Sequence, residues 1–129
     1  MKIDHIAIWT RDLDKVKDFY VRYFGALCND KYVNPQKKFS SCFLSFEGET
    51  TRIELMHNPD IGEGERNDAF APGLTHLAIS VGSRQNVDRL TEQLRTDGYR
   101  VLGEPRVTGD GYYESVVEDC EGNRIEITE

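Results

Sequence analysis

The sequence predicts an α+β fold of two βαβββ modules, and three repetitions within the chain carry that prediction. The opening stretch Ile3-Asp4-His5-Ile6-Ala7-Ile8 is echoed by Leu74-Thr75-His76-Leu77-Ala78-Ile79. Each is followed, seven residues after its histidine, by a helix-capping residue, Asp12 in one case and Ser83 in the other. Each half then closes on the same pattern, Arg52-Ile53-Glu54-Leu55 and Arg124-Ile125-Glu126-Ile127. His5 to Glu54 is 49 residues and His76 to Glu126 is 50, so the chain reads as a duplicated unit.

The first strand alternates, with Ile3, His5, Ala7 and Trp9 on one face and Asp4, Ile6 and Ile8 on the other. Asp12 then caps a helix whose stripe is Leu13, Val16, Phe19, Tyr20, Tyr23 and Phe24, stopped by Gly25. The second module copies it with Val87, Leu90 and Leu94, stopped by Gly98. Val16 and Val87, Phe19 and Leu90, and Tyr23 and Leu94 all differ by 71, the offset of His5 from His76. Three strand-like runs follow each helix, at 26–33, 39–46 and 51–57, then at 99–104, 112–118 and 123–128. Turn formers at Asn34-Pro35, Glu47-Gly48, 105–111 and 119–122 separate them. The expected layout is one domain over 1–129, with module 1 at 1–57, a connecting loop at 58–72 and module 2 at 73–129.

Composition narrows the function. A half of roughly 60 residues buries too little surface to be comfortable alone, so the modules are expected to share one body with a cavity between them. The formal charge of −7 argues against nucleic acid, which wants a basic stripe. No apolar run approaches the ~20 residues of a membrane span, and no basic-then-apolar leader follows Met1. Three cysteines with no Cys-x-x-Cys point to reduced thiols and a cytoplasmic protein. A buried hydrophobic role suits them better than catalysis. The expected partners are a small-molecule substrate and, because symmetric pairs are the commonest assemblies, a second copy in a homodimer.

Alternation decides which side chains meet. In the closing strands Glu54 and Glu126 oppose the aliphatic residues that belong under the helices, and His5 and His76 turn the same way. Four potential ligands therefore share a face. A carboxylate facing a cavity is costly to desolvate unless it is paired or binds a cation. Two neutral imidazoles and two carboxylates match a divalent ion in charge and leave room for water. Taken singly, each would read as a solvated glutamate or a satisfied histidine; the duplication favours the metal. His57 has the opposite parity and reads as a surface residue. Arg52 and Arg124 share the glutamate parity and either hold an anionic substrate group or pair with acidic neighbours. The stretch Thr108-Gly109-Asp110-Gly111-Tyr112-Tyr113 either carries Tyr113 to the cavity rim or is a plain hairpin.

These residues resemble the vicinal oxygen chelate superfamily of glyoxalases, bleomycin-resistance proteins and dioxygenases. The resemblance covers essentially the whole chain. Ile3 to Ile8, Asp18-Phe19-Tyr20 with Phe24-Gly25, Leu74 to Ala78 and Asp119-Cys120-Glu121-Gly122-Asn123-Arg124-Ile125-Glu126 carry it. Cys120 stands where the family usually has proline. The resemblance implies an open mixed β-barrel around one metal ion held by His5, Glu54, His76 and Glu126. Four protein ligands fit glyoxalase I and methylmalonyl-CoA epimerase better than the three-ligand dioxygenases and fosfomycin-modifying enzymes, and a glutamate at position 54 tilts toward the glyoxalases. Where glyoxalase I typically has arginine for a glutathione carboxylate, four residues after the first ligand, this chain has Trp9. The asparagine expected four after the second ligand is Asn58.

The activity implied is that of a glyoxalase I-like isomerase of the lactoylglutathione lyase type. Its substrate would be a hemithioacetal or another small oxygen-rich molecule. A zinc, nickel or cobalt ion would stabilise an enediolate while Glu126, or Glu54 for the opposite side, moves the proton. The alternatives are a thiol transferase of the fosfomycin-resistance type, a CoA-ester epimerase, or a non-catalytic binder holding a planar ligand against Trp9, Phe43 and Tyr113.

Overall fold

A computed structural model describes residues 1–62 and 73–129. The greater part of the expected connecting loop, 63–72, lies outside the described residues. The chain divides into two compact units, Met1–Arg66 and Asn67–Glu129. Among the described residues each has one sheet and one helix, and the class is the α+β arrangement the repeats predict.

In the first unit the order is β1 (His5–Trp9), α1 (Leu13–Phe24), β2 (Leu27–Cys28), β3 (Tyr32–Asn34), β4 (Phe39–Ser45) and β5 (Arg52–His57). The strands lie in the order β1-β5-β4-β2, with β3 also paired to β4. The first and last strands of the unit run parallel, with Ala7 opposite Glu54 and Trp9 opposite Met56. The second unit repeats the plan with β6 (Leu77–Ser80), α2 (Arg84–Thr96), β7 (Val101–Val107), β8 (Tyr113–Glu118) and β9 (Arg124–Thr128). Its order is β6-β9-β8-β7, and Ala78 stands opposite Glu126 in the parallel β6–β9 pair.

The helix ends are where the capping chemistry puts them. The Asp12 side chain accepts from the Lys15 amide and the Ser83 side chain from the Asn86 amide, each satisfying a donor with no intrahelical partner. Gly25 ends α1 at φ 65°, and Gly98 follows the Asp97 cap of α2 at φ 90°. Both lie in the left-handed region that a side chain disfavours.

Two elements depart from the sequence reading. The run 26–33 is not one strand, because Asn29 interrupts it. Its amide donates to the Phe43 carbonyl while its side-chain oxygen accepts from the Phe43 amide at 2.7 Å. One residue thus closes a local ring with β4, and the backbone on either side pairs separately. Conversely, the turn expected from Pro105 onward begins later, since β7 runs through Pro105 to Val107. Proline is tolerated there because β7 is an edge strand, and the register shifts on the way from Val101 to Arg106 absorb its missing donor.

The helix of each unit covers the aliphatic face of its sheet. Val16, Tyr20, Leu44 and Leu55 are fully buried in the first, and Val87, Leu94, Val117, Ile125 and Ile127 in the second. The second core also holds a polar pair, Thr91 and Ser115, whose hydroxyls meet at 2.7 Å while Thr91 also donates to the Val87 carbonyl. With those partners the hydroxyls are satisfied and their burial is tolerated. Leu55 is fully buried on the same strand as Glu54, on the opposite face. Leu55→Ala is expected to destabilise the protein by about 2–5 kcal/mol, measured as a lower midpoint in urea; a midpoint unchanged from the parent would contradict this packing.

Candidate metal centre

Each closing strand places its glutamate on the face away from the helix. Ile53 and Leu55 are buried on one side of β5 while Glu54 is half-buried on the other, and Ile125, Glu126 and Ile127 repeat this in β9. In β1 the same alternation turns His5 toward Glu54. His76 sits just ahead of β6, beside Glu126. The His5 Nε2 lies 3.6 Å from Glu54 Oε2, and the His76 Nε2 lies 3.1 Å from Glu126 Oε2. Both units thus build the same pair, a half-buried carboxylate beside an exposed histidine, from the same register.

The other ring nitrogen of each histidine is occupied. His5 Nδ1 is 3.0 Å from Asp4 Oδ2, and His76 Nδ1 is 3.0 Å from Thr75 Oγ1. The hydrogen bond to His5, then the Arg52 guanidinium, hold the Asp4 carboxyl below the usual carboxylate range. An ionised Asp4 is only an acceptor, so the Nδ1 of His5 donates to it, which leaves the Nε2 edge of the ring turned to Glu54. This is the orientation that metal-binding histidines adopt through an outer partner. The sequence reading passed over Asp4 and Thr75. The signal was present, since they too differ by 71 and each directly precedes its histidine.

The turn that delivers Glu126 is built by Asp119, which is nearly fully buried. Its carboxylate accepts from the amides of Glu121 and Asn123 and from the Asn123 side chain. Cys120, standing in the middle of that turn, leaves the hydrogen bonds of Asp119 in place.

Other expected site residues are placed differently. Tyr113, expected at a cavity rim, packs on the helix side instead. Its hydroxyl donates to Asp88 of α2 at 2.7 Å, and Arg84 lies over its ring. It shares its parity with Ser115 and Val117, both buried, so the alternation of β8 sends it away from Glu126. Arg52 is engaged with Asp4 at 2.6 Å and stacks over Phe43 at 4.4 Å. Arg124 is exposed and faces Glu118 across the β8–β9 ladder. Asn58 is used locally, donating to the Lys37 carbonyl and accepting from the Asp60 amide. His57 is half-buried rather than on the surface, its Nδ1 2.9 Å from the Thr10 carbonyl. Trp9 shares the face of His5 and packs edge-on to Phe39.

Among the described residues, no group of three or more His, Cys, Asp or Glu side chains that could hold a metal is found. Each unit therefore offers a pair, not a complete set. Cys42 offers no alternative chemistry: burial, and then a hydrogen bond with Cys28, push its thiol up to about 12, and a thiol held protonated is a poor nucleophile. Among the described residues, no helix is long and apolar enough to cross a membrane.

The model of the Glyoxalase/Bleomycin resistance protein/Dioxygenase superfamily matches residues 2–127. The chain belongs to that superfamily. It is similar to a lactoylglutathione lyase of Escherichia coli O157:H7, 30% identical over 132 residues, which cover all of this chain and 93% of the relative. An uncharacterized protein of Bacillus subtilis is 41% identical across 95% of this chain and 94% of its own length. A lactoylglutathione lyase of Arabidopsis thaliana is 32% identical over 95% of this chain, which spans only 42% of that relative's length. Among solved structures, glyoxalase I of Leishmania major shares the fold with a TM-score of 0.78 at 24% identity, covering 99% of this chain and 86% of that one. A glyoxalase family protein of Enterococcus faecalis does so with a TM-score of 0.79 at 23% identity, covering 99% and 97%.

Proposed function

We propose that this superfamily member is a metal-dependent glyoxalase I-like isomerase. In this reading His5, Glu54, His76 and Glu126 together hold one divalent ion. The observation that carries it is the duplicated pair, a half-buried carboxylate beside an imidazole whose far nitrogen is already engaged. Two such pairs brought together offer two nitrogens and two carboxylate oxygens, a set that suits zinc, nickel or cobalt. The two pairs meet either within one chain or across a homodimer. The similarity to lactoylglutathione lyases supports a hemithioacetal or related oxygen-rich substrate.

When bound, the ion supplies positive charge to draw electron density from two adjacent substrate oxygens. The chain supplies the proton transfer. Glu126, the closer of the two carboxylates to its histidine, takes a proton from the substrate carbon and returns it to the neighbouring carbon. In this reading Glu54 serves the opposite face of the substrate. His5 and His76 keep their positions throughout, fixed by Asp4 and Thr75.

The test is isomerisation of a methylglyoxal hemithioacetal by protein stripped with chelator and then reloaded with nickel, cobalt or zinc. Turnover that vanishes on stripping and returns with one of these ions is the expected result. Absence of turnover with all three, while a thiol is consumed in the presence of an epoxide, would move the assignment to a thiol transferase.

A further inference from the structure

The face of the first sheet that carries His5 and Glu54 also carries three rings that its own core does not use. Trp9 is 53% exposed and Tyr32 is 56% exposed, and half-buried Phe39 stands between them. The register sets Trp9 opposite Met56, Met56 opposite Ser41 and Ser41 opposite Tyr32, so one row crosses the sheet. Phe39 lies two residues from Ser41 on the same face of β4. Trp9 and Phe39 meet edge-on with centroids 6.2 Å apart, and Tyr32 and Phe39 at 6.3 Å with their planes tilted by 57°. Such contacts hold the rings in place while leaving much of their surface uncovered. Phe43 is different, because Arg52 already lies over its face.

We infer that Trp9, Phe39 and Tyr32 form a platform for a flat aromatic or conjugated group on the substrate. The inference rests on the metal reading above, because it ties this group to oxygens held near His5 and Glu54. Trp9 is one alternation step along the sheet from the Ala7–Glu54 row, roughly 6.6 Å. A single ring therefore spans from a pair of oxygens near Glu54 to the Trp9 face. The row from Trp9 through Met56 and Ser41 to Tyr32 holds no charged side chain, so it suits an uncharged ring and offers nothing to a carboxylate. A protein partner fits poorly. Three half-exposed rings present on the order of 300 Å², well short of the ~800 Å² per partner that a stable interface buries.

Mandelate and lactate test this directly. Both carry the same adjacent hydroxyl and carboxylate oxygens and the same charge, and they differ in a phenyl against a methyl group. Trp9 is the sole tryptophan, so emission reports the platform alone. On zinc-loaded protein, mandelate is expected to bind about tenfold more tightly than lactate, as one ring contact supplies, and to change Trp9 emission where lactate does not. By calorimetry, Trp9→Leu should erase the preference and Trp9→Phe should keep most of it. Equal affinities with unchanged emission would overturn the platform. So would emission that follows protein concentration but not mandelate, because a second copy would then cover the rings. The metal reading fails separately, if zinc alters the affinity of neither ligand. The platform survives that result only if mandelate still outbinds lactate and moves the Trp9 emission.

Discussion

Replacing Glu126 by glutamine is expected to reduce isomerase turnover by about 10²- to 10⁴-fold, the range a positioned proton-transfer group supplies. The amide keeps the size of the carboxylate and can still offer an oxygen, but it cannot take up a proton at neutral pH. Glu126 lies on the face of β9 away from α2, with its side chain 21% exposed, while Ile125 and Ile127 hold the strand to the core. The fold should therefore persist, and metal content should fall far less than turnover. Steady-state kinetics beside elemental analysis of one preparation separates the two effects. If Glu126→Gln keeps near-full turnover, the base is misassigned and Glu54→Gln becomes the decisive variant.

His76→Ala should behave differently, losing metal and turnover together. An imidazole held through Nδ1 by Thr75 turns its other nitrogen to Glu126, 3.1 Å from Oε2. Its removal leaves a carboxylate without its neighbour and the ion with one donor fewer. Loss of an outer partner alone typically weakens metal binding by about 10–100-fold, and losing the ligand itself should exceed that. Because His76 is an exposed residue ahead of β6, the midpoint of unfolding should barely change. His76→Ala that retains the parent's metal affinity, measured by zinc titration, would remove this histidine from the site.

Most of the fold could be read from the repeats, because duplication doubles every signal. Asp12 and Ser83 cap as expected, and the alternation around Glu54 and Glu126 puts the aliphatic residues under the helices. Asn29 escaped notice because its side chain imitates a backbone acceptor, which no hydrophobic pattern reveals. Pro105 misled because a strand's place at a sheet edge is a tertiary fact. Tyr113 was misplaced for a different reason. Its parity with Ser115 and Val117 already pointed to the helix, but the neighbouring glycines drew it into the turn. At the site, residue pattern alone assigned a face to each histidine and glutamate. It could not show which atom of each ring is engaged, and so passed over Asp4 and Thr75. Nor does parity settle whether two matching halves pair within a chain or between two copies, since the same faces serve either way.

The central claim is that two His–Glu pairs, one from each unit, share one ion. Titration of chelator-stripped protein with zinc, by calorimetry and confirmed by elemental analysis, tests it most directly. The expected stoichiometry is one ion per chain, whether the pairs meet within a chain or across a homodimer. Ala substitution at His5 or His76, or at Glu54 or Glu126, should weaken that binding in all four cases. One tight ion per chain that survives every one of the four substitutions, or no tight binding by the parent protein, would contradict the account.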